Sequence, residues 1–192
     1  SEMCIETAVG PDNALWFTEA SQSSNKIGRI TTNGVITEFS LPSSGSSPEG
    51  ITKGPDGAIW FTDQTGGNIG RITTSGTITE FPLPINSSPG NIVTGPDGNL
   101  WFTDSASSSI GRITPHGTLT EFPLPSIGEG PFGIAVGSDH ALWFNNVGSD
   151  KIGRITINGV ITEFSLPGNS SQASQITPGP DGSLWFTQDG LS

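Results

Sequence analysis

Acidic and amide side chains recur at one position of this chain: Glu19, Asp63, Asp104, Asn146 and Gln188 each close a short apolar run built around Trp and Phe. Carboxylates gathered at one rim supply oxygen ligands, so Glu19, Asp63 and Asp104 would suit a hard cation, with no metal assigned. Glu49 and Glu129 stand in connections expected to share that rim. The competing reading, which comes first, makes these carboxylates solvated groups or caps of the neighbouring loops. A second set marks the repeat that departs most from its siblings. Phe132 stands in a connection, Ser138 replaces Pro, and Asn145 and Asn146 replace a Thr-Asp pair. Phe132 with Asn145 and Asn146 would make an apolar and amide contact for a small ligand. No catalytic residue is assigned. No Ser-His-Asp arrangement, phosphate loop or zinc spacing is present.

The elements that must position these residues repeat. Trp16, Trp60, Trp101, Trp143 and Trp185 are separated by 44, 41, 42 and 42 residues. A period near 42 residues built from short β-like runs is the signature of a β-propeller. Residues 91–123 show the unit: Ile92–Thr94, a Gly95-Pro96-Asp97-Gly98 turn, Asn99–Thr103, Ser109–Thr114 and Thr118–Phe122. The turn follows from Pro presetting φ and Gly accepting positive φ. The fold class is therefore all-β, a single propeller of four-stranded blades with about four and a half blades in this chain. Blade one spans 5–40, blade two 50–82, blade three 91–123, blade four 133–165 and a half-blade 175–188. The longer connections Ala20–Asn25 and Leu166–Ala173 are read as solvent-facing loops.

Third and fourth runs meet at Asn33-Gly34, Ser75-Gly76, His116-Gly117 and Asn158-Gly159. Read as two-residue type I′ loops, these place Arg29 opposite Glu38, Arg71 opposite Glu80, Arg112 opposite Glu121 and Arg154 opposite Glu163. Four cross-strand ion pairs in register would make these charges structural. Asp12, Asp56, Asp97, Asp139 and Asp181 are turn residues first. The recurrent Trp, alternating with Leu and Phe on a run apolar on both faces, is core between stacked blades.

The net charge is −11, with seven Lys and Arg against 18 Asp and Glu. Four of the seven are the repeated Arg, so no basic face remains for nucleic acid or anionic membrane. No apolar run reaches transmembrane length. Cys4 is the single cysteine, which excludes an internal disulfide framework. Two sequons, Asn86-Ser87-Ser88 and Asn169-Ser170-Ser171, read first as chance in a Ser-rich chain. The location stays open and leans toward an extracellular or cell-surface setting.

The string G-P-D-G-x-[LI]-W-F-T-[ED], then I-G-R-I-T, a turn, T-E-F and P, resembles the virginiamycin B lyase (streptogramin lyase) family. It stands at Gly10–Glu19, Gly54–Asp63 and Gly95–Asp104, with weaker copies at Gly137–Asn146 and Gly179–Gln188. The resemblance implies a seven-bladed propeller and an enzyme that opens a cyclic depsipeptide at an ester by elimination, with Mg²⁺, a His base and an acidic residue at the channel mouth. A His is implied just before the Gly that opens the first strand. Glu49, Gly90 and Phe132 hold the matching positions. His116 and His140, the only histidines, fall in turns of the opposite rim. The expectation is thus a non-enzymatic scaffold for ligand binding, protein binding or self-assembly. The alternative is a Mg²⁺-dependent streptogramin B lyase completed by blades outside this segment. Open apolar blade faces would pair with copies of the chain or with other propeller segments.

Overall fold

The computed structural model describes residues 6–21, 24–43, 45–125, 128–167 and 173–188. Blade one comprises β1 (Thr7–Val9), β2 (Leu15–Ser21), β3 (Ser24–Ile30) and β4 (Ile36–Ser40). Blade two comprises β5 (Pro48–Lys53), β6 (Ile59–Asp63), β7 (Asn68–Ile72) and β8 (Ile78–Pro82). Blade three comprises β9 (Pro89–Thr94), β10 (Leu100–Asp104), β11 (Ser109–Ile113) and β12 (Leu119–Pro123). Blade four comprises β13 (Pro131–Val136), β14 (Leu142–Asn146), β15 (Lys151–Ile155) and β16 (Ile161–Ser165). The half-blade is β17 (Ala173–Pro178) and β18 (Leu184–Gln188). Each is an antiparallel meander in sequence order. The first strands β1, β5, β9, β13 and β17 touch in succession, so they form the innermost layer. No helix occurs among the described residues.

One apolar face of each blade stacks on the opposite face of the next. Trp16 and Ile27 pack on Ile51, Ile59, Phe61 and Ile72, and Trp101 and Ile110 pack on Ile134, Leu142 and Phe144. Trp16, Trp60, Trp101 and Trp143 also lie flat against the Phe of their own fourth strands, as Trp60 does on Phe81 at 5.3 Å between ring centres. Burial of the Trp therefore depends on the following blade. Trp16, Trp60 and Trp101 are fully buried and Trp143 is half-covered, whereas Trp185 is 62% exposed. At the other end Val9 and Leu15 of blade one are exposed. The expectation that every Trp is core holds only where a next blade follows.

The hairpin register differs from the expected one. Thr31 N–H donates to Val35 O at 3.0 Å and Gly34 N–H to Thr31 O at 2.9 Å. Gly34, Gly76, Gly117 and Gly159 have positive φ, while Asn33, Ser75, His116 and Asn158 do not. These are three-residue loops, a type I turn followed by a left-handed Gly, rather than type I′ loops. The extra residue moves Arg29 opposite Thr37 and Glu38 opposite Gly28, and the other blades follow suit. Arg and Glu then point to opposite faces of the blade, so the Arg–Glu pairs do not form.

The Arg instead meets the turn Asp. Arg29 Nε lies 2.7 Å from Asp12 Oδ2, Arg71 Nε 2.6 Å from Asp56 Oδ2 and Arg154 Nε 2.7 Å from Asp139 Oδ2. The other carboxylate oxygen accepts the indole N–H of the buried Trp, at 3.0 Å from Trp60 to Asp56. Asp56 Oδ1 also accepts the Ala58 N–H. One Asp thus closes the turn, satisfies the Trp and anchors the Arg. Burial opposes ionisation of Asp139, but the hydrogen bonds from Trp143 and Arg154 outweigh it and hold its carboxyl at about 2. In blade three Asn99 occupies Asp97 Oδ2, and Arg112 stands off at 3.9 Å.

Two smaller expectations also shift. Ala20 and Asn25 are paired residues of β2 and β3, not loop, and Ala173 is buried in β17. Ile5 and Asn169 lie outside the described residues.

Candidate functional site

Strand order fixes two rims. The β1–β2 and β3–β4 turns share one, and the β2–β3 turns with the fourth-to-first connections share the other. His116 and His140 sit exposed on the first rim. His140 has φ +57° where two siblings have Gly57 and Gly98, so it is a turn residue. The candidate rim is the second one.

Its innermost strands are held by a belt of second-strand side chains. Thr62 Oγ1 accepts the Gly50 N–H at 2.8 Å and donates to Gly90 O of the next blade at 2.5 Å. Thr18 does the same toward Glu6 N–H and Glu49 O, and Thr103 toward Asn91 N–H and Phe132 O. Asn145 takes the Thr place in blade four: its Oδ1 accepts the Gly133 N–H at 2.7 Å and its Nδ2 donates to Ala173 O. Fully buried and doubly committed, Asn145 belongs to the scaffold and not to a ligand contact.

The carboxylates expected to ring a cation are not brought together as one group. Asp63, 1% exposed, accepts the Ser47 N–H at 2.7 Å and the Gly66 N–H at 3.0 Å through Oδ1. Asp104, fully buried, accepts the Ser88 and Ser107 N–H groups likewise. Both cap loops, as the competing reading had it. Glu19 is half-buried on β2 opposite Lys26. Asn146 is fully buried and donates to Glu129 and Glu163 at 2.9 and 3.1 Å. Lys151 Nζ completes that cluster, 2.9 Å from Glu129 and 2.7 Å from Glu163. No cluster of three or more His, Cys, Asp and Glu side chains suited to a metal forms among the described residues. The described residues therefore do not by themselves build the Mg²⁺ site that a lyase implies.

Glu49 and Phe132 differ from the rest. Both lie on innermost strands, and the scaffold uses only their backbone oxygens. Glu49 Oε2 is buried with no partner among the described residues. Burial, with the adjacent Glu6 carboxylate second, pushes Glu49 up to about 7; burial also raises Glu6. The Phe132 ring lies beside Gly90: a Cβ there would sit in ordinary contact with Phe132 Cδ2 at 3.8 Å and crowd Thr103 Oγ1 at 2.9 Å. Glu6 was missed in the sequence because it precedes a weak first run; only its place one residue past the Glu49 column could have marked it.

Four-stranded blades stacked face to face about innermost first strands define a β-propeller, with a rim carrying a proton-binding carboxylate and an aromatic side chain. The chain belongs to the virginiamycin B lyase family, whose model matches residues 2–192. It is similar to the crystallised virginiamycin B lyase of Staphylococcus aureus, with 47% identity and a TM-score of 0.93 over 97% of this chain and 64% of that one. A catalytically inactive histidine-to-alanine variant of the S. aureus lyase, crystallised with quinupristin, matches at 48% identity and a TM-score of 0.91, over 97% of this chain and 62% of that one. A streptogramin B lyase structure matches at 44% and 0.92, again over 97% and 62%. The chain thus spans between 62% and 64% of the length of these lyases. No curated protein matches it.

Proposed function

We propose that this chain acts in a carbon–oxygen lyase of the streptogramin B type. It supplies propeller blades and part of the substrate-facing rim. The observation that carries this reading is 47% identity to a virginiamycin B lyase, with 97% of the chain covered. It displaces the non-enzymatic module as the preferred reading. In such an elimination a base takes the Cα proton, its electron pair forms the Cα–Cβ double bond, and the ester oxygen leaves as a carboxylate. Neither His116 nor His140 is proposed as that base, since both stand on the far rim. Phe132 is proposed to contact apolar parts of the depsipeptide, and Glu49 to stand beside its polar backbone. The acids Glu19, Asp63 and Asp104 and the amide Asn146 are proposed to shape the rim from one layer out.

The reading is tested by combining the 192-residue chain with the part of the S. aureus lyase that it does not cover, adding quinupristin and Mg²⁺, and following the product by mass spectrometry. Elimination opens the ring without changing the mass, whereas hydrolysis adds one water. A linear isomer from the combined protein is the expected result, and an intact ring after prolonged incubation, with the two parts shown to associate, would sink the proposal. The exposed Trp185 face and the exposed Val9 and Leu15 face are proposed to be covered by further blades or by other copies of the chain. A mass that rises with concentration in light scattering would support copies.

A further inference from the structure

One slot is filled differently from blade to blade. The first residue of the third strand is Lys26, Asn68, Ser109 and Lys151 in turn. It pairs with the last acidic or amide residue of the second strand: Glu19, Asp63, Asp104 and Asn146. The fourth-strand acids Glu38, Glu80, Glu121 and Glu163 lie on the same face, two positions along. Each stands opposite a third-strand glycine whose free side is covered by the second-strand Phe ring, as Phe61 covers Gly70. Where Lys is present its ammonium fills the slot. Lys151 Nζ bridges Glu163 and Glu129, and Lys26 Nζ meets Glu38 at 2.5 Å.

Blade two keeps the carboxylates and lacks the ammonium. Asp63 spends Oδ1 on two backbone N–H groups. Its Oδ2 is buried with no hydrogen-bond partner among the described residues, although the residue is 1% exposed. Glu80 accepts Ser43 Oγ–H through Oε2 at 3.1 Å, and its Oε1 is also buried without a partner. A Cβ built on Gly66 would lie 2.1 Å from Asp63 Oδ2 and 3.0 Å from Asn68 Nδ2, so the carboxylate and the amide adjoin one small space. Asp63 is buried and Glu80 half-buried, and their idle buried oxygens are unfavourable unless something positive compensates them.

We propose that the blade-two slot between Asp63 and Glu80 binds a hard divalent cation of the Ca²⁺ class, in the place that blade four fills with the Lys151 ammonium. Asp63 Oδ2 and Glu80 Oε1 are its charged donors. The Asn68 amide, whose oxygen and nitrogen exchange by a flip, is the neutral one. Ca²⁺ suits an irregular oxygen set completed by water better than Mg²⁺, which demands near-octahedral order. Blade three repeats the loss of Lys at Ser109 with a fully buried Asp104. Its Glu121 is exposed, however, so blade two is the assigned site.

The test is calorimetric titration of the 192-residue chain with CaCl₂, with thermal melts alongside. Asn68→Lys should place an ammonium in the slot. It should weaken Ca²⁺ binding at least tenfold while leaving the metal-free protein as stable as the parent or more so. Ser75→Lys, which makes the same charge change at an exposed turn on the opposite rim, should retain binding. Asp63→Asn should lose binding as well. Equal Ca²⁺ affinity in the parent, Asn68→Lys and Ser75→Lys proteins overturns the proposal. So does a parent chain with no Ca²⁺ response, the behaviour of a slot that holds only a shared proton.

Discussion

Replacing Glu49 by Gln tests the electrostatics of the innermost strands directly. Burial, and secondarily the charge of Glu6, raises this carboxyl from 4.5 to about 7. The raised value means that the folded chain holds the Glu49 proton longer than the unfolded chain does. Below about pH 4.5 both states are protonated and the residue costs nothing. Between 4.5 and about 7 the unfolded state ionises first, so stability falls as pH rises; above about 7 the cost is complete and level. At about 1.4 kcal/mol per tenfold change, the gap corresponds to about 3 kcal/mol, and partial solvent contact screens it to about 2 kcal/mol. Glu49→Gln should therefore match the parent at pH 4 and exceed it by about 2 kcal/mol at pH 8, measured by urea unfolding followed through Trp fluorescence. Taking the difference between the two proteins at each pH cancels the titration of the other carboxylates, Glu6 included to first order. Parent and variant curves that run parallel from pH 4 to pH 8 would refute the desolvated-carboxylate reasoning.

Three further outcomes follow from the packing. Thr62→Val leaves the buried Gly50 N–H and Gly90 carbonyl without their partner and should cost about 2 kcal/mol. Thr187→Val, in the exposed half-blade with no following carbonyl described, should cost under about 0.5 kcal/mol in the same urea assay. Trp101→Ala should cost about 3–5 kcal/mol, whereas Trp185→Ala, already 62% exposed, should cost under about 1 kcal/mol; comparable losses would mean that something covers Trp185 in solution. Asp139 is held at about 2 against an ordinary 3.8, so its contribution is full above about pH 4 and lost as pH falls through about 2. Asp139→Asn should flatten that acid limb in a pH series of melting temperatures.

The fold was legible because the repeat marks it in several independent ways at once: Trp spacing, the Gly-Pro-Asp-Gly turn and the hairpin Gly all carry the same period. The hairpin register was not. An Asn-Gly pair fits a type I′ loop and the last two residues of a type I turn with a left-handed Gly, and only backbone φ distinguishes them. That one-residue difference exchanged every Arg partner from Glu to Asp. Asp12 and its siblings were read as turn formers, and the structure adds the Trp and Arg they hold, contacts between strands that no linear spacing displays. Asn145 looked like a departure with functional meaning. It substitutes for Thr because an amide, like a hydroxyl, both accepts and donates.

The side chains left to function can be recognised by what the scaffold asks of them. Thr18, Thr62 and Thr103 lock each blade to the next through the carbonyls of Glu49, Gly90 and Phe132. A backbone carbonyl is the same whatever residue bears it, so the hydrogen bond accepts an acid at Glu49 and an aromatic at Phe132, whereas a Cβ on Gly90 would come within 2.9 Å of Thr103 Oγ1. Gly50 and Gly133, one residue further on, have no such freedom. A Cβ on either would come within 2.8 or 2.5 Å of its surroundings, so these two positions stay small, although Glu6, Asn91 and Gln175 fill the equivalent place in the other blades. The Glu49 and Phe132 side chains are accordingly ones that the interblade hydrogen bonds do not use. Their column is also the one where the family resemblance implies a catalytic histidine. In this chain it carries Glu49, a carboxyl that burial pushes up to about 7, and Phe132, an aromatic beside Gly90. The rim side chains that the interblade hydrogen bonds leave unconstrained are accordingly the ones free to serve the proposed function, and the repeat that surrounds them holds their backbones still.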